Sequence, residues 1–341
     1  MKKIKAAFFD IREFEVKHID EVSADYLELV KINEPFQNEF DNRLDDIKDI
    51  EILSVFTTST VIADSLKKLP NLKLIITRST GFNHIDSDYC KQNNIILANV
   101  AGYGETTVAE FAFGLLLTVM RKITHAYNSL QKRVINIHGF MGNDLFGKTI
   151  GVIGTGAIGS HFIQISKGFG MNVIASDPYP KQALVDKFDV KYVSLEELYK
   201  QSDIISVHCP GTKENHHLLS NDQFDQMKEG VIIINTARGE LIDTDALYKA
   251  VTAGKIGGAG LDVLECEDIL MQEDKYLLKI DCIKEDCLRK TLLNHKLLEL
   301  DNVVITPHVA YDTIEAVNRI LDKTYATIDK FYKGEEIKSV Y

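Results

Sequence analysis

Features that would direct a chain to a membrane, a secretory route or a nucleic acid are missing from this 341-residue sequence. No apolar run is long enough to span a bilayer, and the opening MKKIKAAFFD lacks the apolar core and cleavage site of a secretory signal. We therefore expect a cytoplasmic protein with no membrane partner. The formal net charge of -11 also argues against a nucleic-acid partner, because such partners bind to basic surfaces.

The chain has only five cysteines and no C-x-x-C pair. An odd, scattered set argues against a disulfide framework and against a zinc knuckle. Cys282 and Cys287 are close enough in sequence to form a redox pair, but we expect reduced thiols. A zinc site built from His216, His217 and Cys209 lacks the usual ligand spacing, so no metal is expected.

Short β-branched runs alternate with helical segments along the chain, without repeats or low-complexity tracts. Near-continuous apolar strands separated by helices are typical of parallel sheets covered on both faces. The predicted fold class is therefore α/β, with strands enough for two doubly wound parallel sheets. The predicted strands are Ala6–Phe9, Ile52–Phe56, Leu74–Thr77, Ile95–Asn99, Thr149–Ile153, Asn172–Ala175, Ile204–His208, Val231–Asn235, Ala259–Val263 and Val303–Thr306.

A long apolar helix is predicted between the two sets of strands. Thr107 and Glu110 have the spacing of a capping box at its start. Its apolar stripe could pack on its own domain or form a subunit interface, and periodicity alone does not distinguish these alternatives. The stripe consists of Val108, Phe111, Leu115, Leu116 and Val119.

A glycine-rich turn follows the predicted strand Thr149–Ile153 and opens a helix. Its G-x-G-x-x-G pattern allows a tight turn, close approach of a pyrophosphate and close helix–strand packing, and the helix N-terminus attracts the phosphate charge. This turn consists of Gly154, Thr155, Gly156, Ala157, Ile158 and Gly159.

Asp177 ends the next predicted strand, near the spacing expected for an acid that binds ribose hydroxyls. Its carboxylate would accept hydrogen bonds from both hydroxyls and repel a 2′-phosphate, which predicts NAD rather than NADP. The alternative is an ordinary helix cap before Pro178. Because the glycine turn lies in mid-chain, we expect a Rossmann domain (residues 104–307) inserted in a flavodoxin-like substrate domain (residues 1–103 and 308–341).

Three polar residues follow predicted strand ends in the second half of the chain. Arg238 offers a planar fork for a carboxylate, and His308 is suited to proton transfer at neutral pH. A carboxylate bound to His308 would raise its pKa and fix its tautomer. On chemistry alone, Glu265 and Glu267 are equally plausible partners.

The runs NTARG (235–239), GLDVLECE (260–267) and TPH (306–308), together with the glycine turn, resemble the D-isomer-specific 2-hydroxyacid dehydrogenases over essentially the whole chain. The resemblance implies that Arg238, Glu267 and His308 form the catalytic set, and its spacing selects Glu267 over Glu265. It also implies NAD as cofactor and a homodimer. Further residues implied at the cofactor are His208, Cys209, Pro210, Thr236, Ala237, Arg238 and Asp262.

The first domain resembles the same family in two loops. In the run RSTGFNHID (78–86), the backbone N–H groups near Thr80 and Gly81 are implied to bind a substrate carboxylate, together with Arg78. In the run NVAGYG (99–104), the resemblance implies that Tyr103 lies over the substrate, although the family commonly has proline where Ala101 stands. Tyr311 is expected to close the other side of the pocket.

The charged segment from residue 268 to residue 300 and the run YGETTVAE from Tyr103 are similar to the D-lactate dehydrogenase branch. The expected reaction is reduction of pyruvate to D-lactate by NADH, with the keto acid bound between the domains. Hydroxypyruvate or a branched 2-keto acid remains open as the substrate. A different class, an NAD-sensing corepressor, could retain the same residues, but the acidic chain shows no partner-binding extension.

Overall fold

The computed structural model describes residues 3–134, 138–271, 273 and 284–341. The chain divides into two compact units, one made of Met1–Tyr103 with Asp312–Tyr341 and the other of Gly104–Tyr311. No helix in the described ranges has the length and apolar character needed to cross a membrane.

The first unit contains a five-stranded sheet in the order β2-β1-β3-β4-β5, with every neighbouring pair parallel. Its strands are β1 (Ile4–Phe8), β2 (Leu27–Lys31), β3 (Ile52–Val55), β4 (Leu74–Thr77) and β5 (Ile96–Asn99). Its helices are α1 (Glu13–Val22), α2 (Phe36–Glu39), α3 (Leu44–Ile47), α4 (Ala63–Leu66), α5 (Ser87–Gln92) and the C-terminal α15 (Ile314–Lys333).

Alternate side chains of β1 point to two separate cores in this unit. Ala7 packs with Phe36 and neighbouring apolar residues on one face of the sheet. Phe8 packs with Val317 and Leu321 of α15 on the other. The period of two in the strand therefore covers the sheet on both faces, as a doubly wound fold requires.

The second unit contains a seven-stranded sheet in the order β12-β11-β10-β9-β6-β7-β8, again parallel throughout. Its strands are β6 (Thr149–Ile153), β7 (Asn172–Ser176), β8 (Lys191–Tyr192), β9 (Ile204–Val207), β10 (Val231–Asn235), β11 (Ile256–Leu261) and β12 (Val303–Ile305). Its helices are α6 (Glu105–Met120), α7 (Ile123–Gln131), α8 (Ala157–Gly168), α9 (Gln182–Phe188), α10 (Leu195–Gln201), α11 (Asn221–Gln226), α12 (Thr244–Thr252), α13 (Glu267–Met271) and α14 (Glu285–Leu298), with a 3-10 turn at Gly239–Leu241. Both units confirm the predicted α/β class.

The long helix α6 begins at Glu105, so Thr107 is not its N-cap. Gly104 occupies that position without a side-chain cap, and Thr107 is buried within the first turn. Leu116 and Val119 lie in the core of the second unit. These residues of the stripe therefore pack on their own domain, the first of the two alternatives.

Residues 308–311 belong to the second unit, four residues beyond the predicted boundary. Asp262 is the reason, because it binds this segment from within the second unit. Its carbonyl accepts from the N–H of His308, and its carboxylate accepts from the N–H groups of Val309 and Ala310.

The expectation that Cys287 is reduced, and the argument against a disulfide, are wrong. Cys266 and Cys287 form a disulfide, with their Cα atoms 5.6 Å apart and a sequence separation of 21. The fold brings α14 back to the end of β11, a proximity that scattered cysteines in the sequence do not reveal. Cys90 and Cys209 are free thiols, and Cys282 lies outside the described residues.

Candidate active site

The glycine turn between β6 and α8 requires glycine at two of its three glycine positions. Gly154 has a φ of +89°, and a Cβ there would lie 2.7 Å from the backbone nitrogen of Cys209. A Cβ at Gly159 would lie 2.1 Å from the carbonyl oxygen of Gly154. At Gly156 nothing lies within 4 Å of a Cβ, so this face of the turn is open for a ligand to approach.

Asp177 lies beside the same turn, at the end of β7. One carboxylate oxygen accepts from the N–H of Thr155 at 2.6 Å, and the other accepts from the N–H of Tyr179 at 2.7 Å. Burial alone would raise the pKa of Asp177, but the N–H groups of Thr155 and Tyr179 outweigh it and hold the pKa below its usual value. The carboxylate is therefore charged at neutral pH.

The segment after β9 faces the glycine turn with neutral side chains. Burial lowers the pKa of His208 to about 3, and its Nε2 lies 2.8 Å from the hydroxyl of Ser206. Burial also raises the pKa of the Cys209 thiol to about 11, so this cysteine is a poor nucleophile at neutral pH. Pro210 follows as an exposed residue.

The turn after β10 is held by the buried side chain of Asn235. Its amide donates to the carbonyl of Arg238 at 2.8 Å and accepts from the N–H of Ala237 at 3.0 Å. Arg238 is exposed and donates through Nη1 to the carbonyl of Ala237. The hydroxyl of Thr236 is buried without a hydrogen-bond partner in the described ranges, so it can serve a ligand at this strand end.

His308 and Glu267 are brought together in the second unit. The Nδ1 of His308 lies 2.7 Å from one carboxylate oxygen of Glu267, and the other oxygen accepts from the N–H of Leu264 at 3.1 Å. The hydrogen bond to Glu267 raises the pKa of His308, whereas burial and the charge of Arg238 act against it. This pairing leaves Nε2 without a partner among the described residues, as a group that exchanges protons with a ligand requires.

Asp262 positions His308, and the sequence did not reveal this role. Its side chain is 1% exposed. Besides the N–H groups of Val309 and Ala310, it accepts from the hydroxyl of Thr306 at 2.6 Å. Burial raises the pKa of Asp262 against the opposing effect of these donors. The φ of His308 is +54°, so this network holds a non-glycine residue in the left-handed region.

Glu265 points away from His308, which resolves the choice of partner that chemistry alone left open. Its buried carboxylate binds the Nζ of Lys290 at 2.7 Å and the Nε2 of His217 at 2.8 Å. The other oxygen accepts from the N–H and the hydroxyl of Thr244. Burial would raise the pKa of Glu265, but these donors and charges lower it.

His216, His217 and Glu265 have ligand atoms within 4.8 Å of one another, so the histidines that the sequence considered for zinc meet a glutamate rather than Cys209. The ammonium of Lys290 already binds the Glu265 oxygen that faces His217. The ammonium group of Lys290 therefore already supplies a positive charge at the Glu265 carboxylate.

In the first unit, Arg78 is 3% exposed, and its Nη2 donates to the carbonyls of Phe9 and Asp10. Its Nη1 is buried without a partner in the described part of the chain. Burial lowers the pKa of Arg78.

The loop after β4 presents Thr80 and Gly81 at the surface of the first unit. The carbonyl of Thr80 accepts from the side chain of Asn99 at 2.7 Å, and the carbonyl of Gly81 accepts from Ser79. Within the described ranges, no acceptor binds the N–H groups of Thr80 and Gly81. Two donors are thus available for an anion.

The loop that carries Tyr103 is held by cations of α15, a second contribution that sequence reasoning missed. Lys323 donates to the carbonyls of Ala101 and Gly102 at 2.6 and 2.7 Å, and Arg319 donates to the carbonyl of Tyr103 at 2.7 Å. Tyr103 and Tyr311 are both half-buried, in the first and the second unit respectively.

The residues around the glycine turn fit NAD. The open face at Gly156, the N-terminus of α8, the charged Asp177 and the unpartnered hydroxyl of Thr236 provide what a pyrophosphate and a diol would bind. Asp177 could be an ordinary cap, but it accepts from the glycine turn itself, at Thr155.

The sequence model of the "D-isomer specific 2-hydroxyacid dehydrogenase, NAD binding domain" matches residues 113–310. A "2-hydroxyacid dehydrogenase homolog" of Haemophilus influenzae is 36% identical, covering 99% of both chains. A "D-lactate dehydrogenase" of Escherichia coli is 41% identical over 277 residues, covering 81% of both chains.

Solved structures are similar to this protein over nearly the whole length of its chain. D-lactate dehydrogenase from Aquifex aeolicus, complexed with NAD and lactic acid, has a TM-score of 0.80 at 37% identity and covers 97% of this chain and 96% of its own. D-2-hydroxyisocaproate dehydrogenase has a TM-score of 0.83 at 33% identity, covering 99% of both chains. With the strand–glycine–helix turn and its acid in place, the chain belongs to the NAD-dependent D-isomer-specific 2-hydroxyacid dehydrogenases.

Proposed function

We propose that this dehydrogenase reduces pyruvate to D-lactate with NADH, and that Arg238, Glu267 and His308 are its catalytic residues. The proton-transfer pair carries the proposal: the Nδ1 of His308 is bound to Glu267 at 2.7 Å, while Nε2 is available. The names of the Escherichia coli and Aquifex aeolicus relatives support lactate as the product.

Reduction of a 2-keto acid needs a hydride and a proton, and NADH supplies the hydride to C2 when it is bound. His308 donates its Nε2 proton to the carbonyl oxygen. Glu267 keeps the Nδ1 proton in place, so that the ring is an imidazolium before the transfer and a neutral imidazole after it. In the reverse direction, the neutral ring removes the proton from the hydroxyl of D-lactate.

The substrate carboxylate needs donors that do not take part in proton transfer. We assign this task to the guanidinium of Arg238, whose planar fork matches a carboxylate. As a separate proposal for the first unit, the N–H groups of Thr80 and Gly81 and the Nη1 of Arg78, which have no acceptor in the described ranges, can donate to an anion.

Larger or more polar substrates are the main rivals within the family. The match to D-2-hydroxyisocaproate dehydrogenase favours a branched 2-keto acid as the second candidate, and hydroxypyruvate remains a third. An NAD-sensing corepressor would bind NADH without turnover.

Cytoplasmic location remains a prediction from the sequence.

We also propose a homodimer. The face of α7 supports it, because this helix has no buried residue in the monomer. Large apolar side chains exposed on and after a helix are typical of a surface that a partner covers. The exposed apolar residues here are Ile123, Tyr127, Leu130, Val134, Met141 and Phe146.

The test is the rate of NADH oxidation with pyruvate, hydroxypyruvate, 2-ketoisocaproate and phenylpyruvate under identical conditions. We expect the highest kcat/KM with pyruvate. A higher value for a bulkier acid would retain the catalytic set and replace the substrate. Tight NADH binding without turnover on any of the acids would favour the corepressor.

A further inference from the structure

The segment that carries Glu267 is tied to α14 by a covalent bond. Cys266 precedes Glu267 directly, and its disulfide partner Cys287 lies in the first turn of α14. Cys266 also lies between Glu265, which binds α14, and Glu267, which binds His308. The disulfide is therefore one residue away from the proposed proton-transfer pair.

The same helix holds this segment by polar contacts. Lys290 binds the carboxylate of Glu265, and the side chain of Asn294 donates to the backbone carbonyl of Glu265 at 3.0 Å. Both contacts are buried. They fix the chain at Glu265, whereas the disulfide fixes the next residue.

Cys266 adopts a backbone conformation that needs support. Its φ is +55°, in the left-handed region that residues with a Cβ rarely occupy. A residue in this region persists where the surrounding structure holds it. At Cys266 the holding contacts are the disulfide and the Glu265 network, so the direction in which the chain enters Glu267 depends on both.

The two sulfurs are open to exchange. Cys266 and Cys287 are both half-buried rather than enclosed, in contrast to the fully buried Cys90. Partly exposed cysteines react with dissolved thiols and disulfides, whereas buried ones are inert.

We propose that reversible oxidation of Cys266 and Cys287 controls turnover, with the disulfide form as the more active state because it holds Glu267 against His308. The proposal rests on the proposed function, since it acts through the same pair. Cys266 and Cys287 are positioning residues in it, and neither touches the substrate.

The redox step is thiol–disulfide exchange with a low-molecular-weight disulfide. One cysteine thiolate attacks the small disulfide, forming a mixed disulfide and releasing one small thiol. The second cysteine then attacks the mixed disulfide, which forms the Cys266–Cys287 bond and releases the second small thiol. The two cysteines lose two electrons and two protons in total, and the two small thiols gain them.

Reduction should lower kcat by about tenfold, because a misplacement of about 1 Å near a reacting group costs up to about a hundredfold and the Glu265 contacts retain part of the alignment. The KM for NADH should not change, since the glycine turn lies elsewhere in the second unit. The alkaline limb of the pH profile for pyruvate reduction should move to lower pH, because a loosened Glu267 holds the proton on His308 less well. A purely structural bond would not produce this combination.

The experiment equilibrates the full-length protein in buffers of oxidised and reduced glutathione. Thiol content is read by alkylation and peptide mass mapping, and kcat, KM and the pH profile are measured in each buffer. Cys287→Ser should behave like the reduced wild type in every buffer. Cys282→Ser is the matched control, and it should retain both the disulfide and the response.

Each outcome has a defined meaning. A matching loss of disulfide and of kcat, absent in Cys287→Ser and present in Cys282→Ser, supports the switch. Equal kcat and pH profiles in both verified redox states would overturn the switch and leave the proposed function standing. Loss of the response in Cys282→Ser would also overturn it, because the pair would then not be Cys266 and Cys287. Absence of turnover in both states would remove the proposed function and the switch together.

Discussion

Replacing Glu267 with glutamine tests the proton-transfer pair without changing the shape of the side chain. The carboxylate oxygen lies 2.7 Å from the Nδ1 of His308, and the second oxygen accepts from the N–H of Leu264. Glutamine can still accept the hydrogen bond from the Nδ1 of His308 through its carbonyl oxygen, but its NH2 group cannot accept from the N–H of Leu264. The change therefore removes the charge that acts on His308, together with the contact to Leu264.

The size of the effect follows from the exposure of the pair. A hydrogen bond to a charged group contributes about 1.5 to 3 kcal/mol. The side chain of His308 is 47% exposed, so solvent screening favours the low end of this range. A loss of about 1.5 kcal/mol corresponds to about a tenfold decrease in kcat/KM for pyruvate reduction.

The pH dependence of the rates shows in which direction the pKa of His308 changes. Glu267 raises the pKa of His308, so glutamine should lower that pKa. Pyruvate reduction requires the protonated ring, and its alkaline limb should move to lower pH. D-lactate oxidation requires the neutral ring, so its acid limb should also move to lower pH.

The assay is kcat/KM against pH in both directions for the wild type and Glu267→Gln. Asp268→Asn is the matched control, because it removes an exposed charge from the next residue and should leave both limbs in place. Limbs and rates that are unchanged in Glu267→Gln would refute the pairing as the source of proton transfer.

Further substitutions test the cofactor turn and the support of the active-site segment. Asp177→Ala should raise the KM for NADH about tenfold and reduce discrimination against NADPH, and unchanged discrimination would contradict its assignment to the ribose. Gly159→Ala should impair NADH binding, measured by fluorescence titration, because its Cβ would lie 2.1 Å from a backbone oxygen, whereas Gly168→Ala in the same helix meets nothing within 4 Å and should bind normally. Lys290→Met should lower the free energy of unfolding by about 3 kcal/mol, since it removes the ammonium group that binds the buried Glu265 carboxylate. Because the folded-state pKa of Glu265 is lowered, its stabilisation in the wild type is present above its unfolded pKa and lost as pH falls through the folded value, so the difference in denaturation midpoint between the two proteins should shrink in acid.

Much of the fold was predictable because the central strands are continuous apolar runs. The predicted strand Ile52–Phe56 is observed as Ile52–Val55, and Val231–Asn235 is observed unchanged. The missed strands lie at sheet edges. β2 contains Glu28 and Lys31, and β8 has only two residues, so neither forms an apolar run.

The chemistry of the site was predictable where it depends on spacing along the chain. The glycine turn and the acid at the end of the next strand, Asp177, follow from local sequence, and the family resemblance singled out Glu267. The task of Asp262 was not predictable, because its carboxylate binds a segment more than forty residues later, at Val309 and Ala310. The Cys266–Cys287 bond likewise depends on how α14 returns to β11.

The most direct test of the account compares D-lactate with L-lactate as substrates for NAD reduction, in the wild type and in His308→Gln. The account predicts turnover of D-lactate, little or none of L-lactate, and a loss of at least about a hundredfold in the variant, as expected for removal of a general acid–base group. Turnover of L-lactate at a comparable rate, or a variant as fast as the wild type, would contradict it.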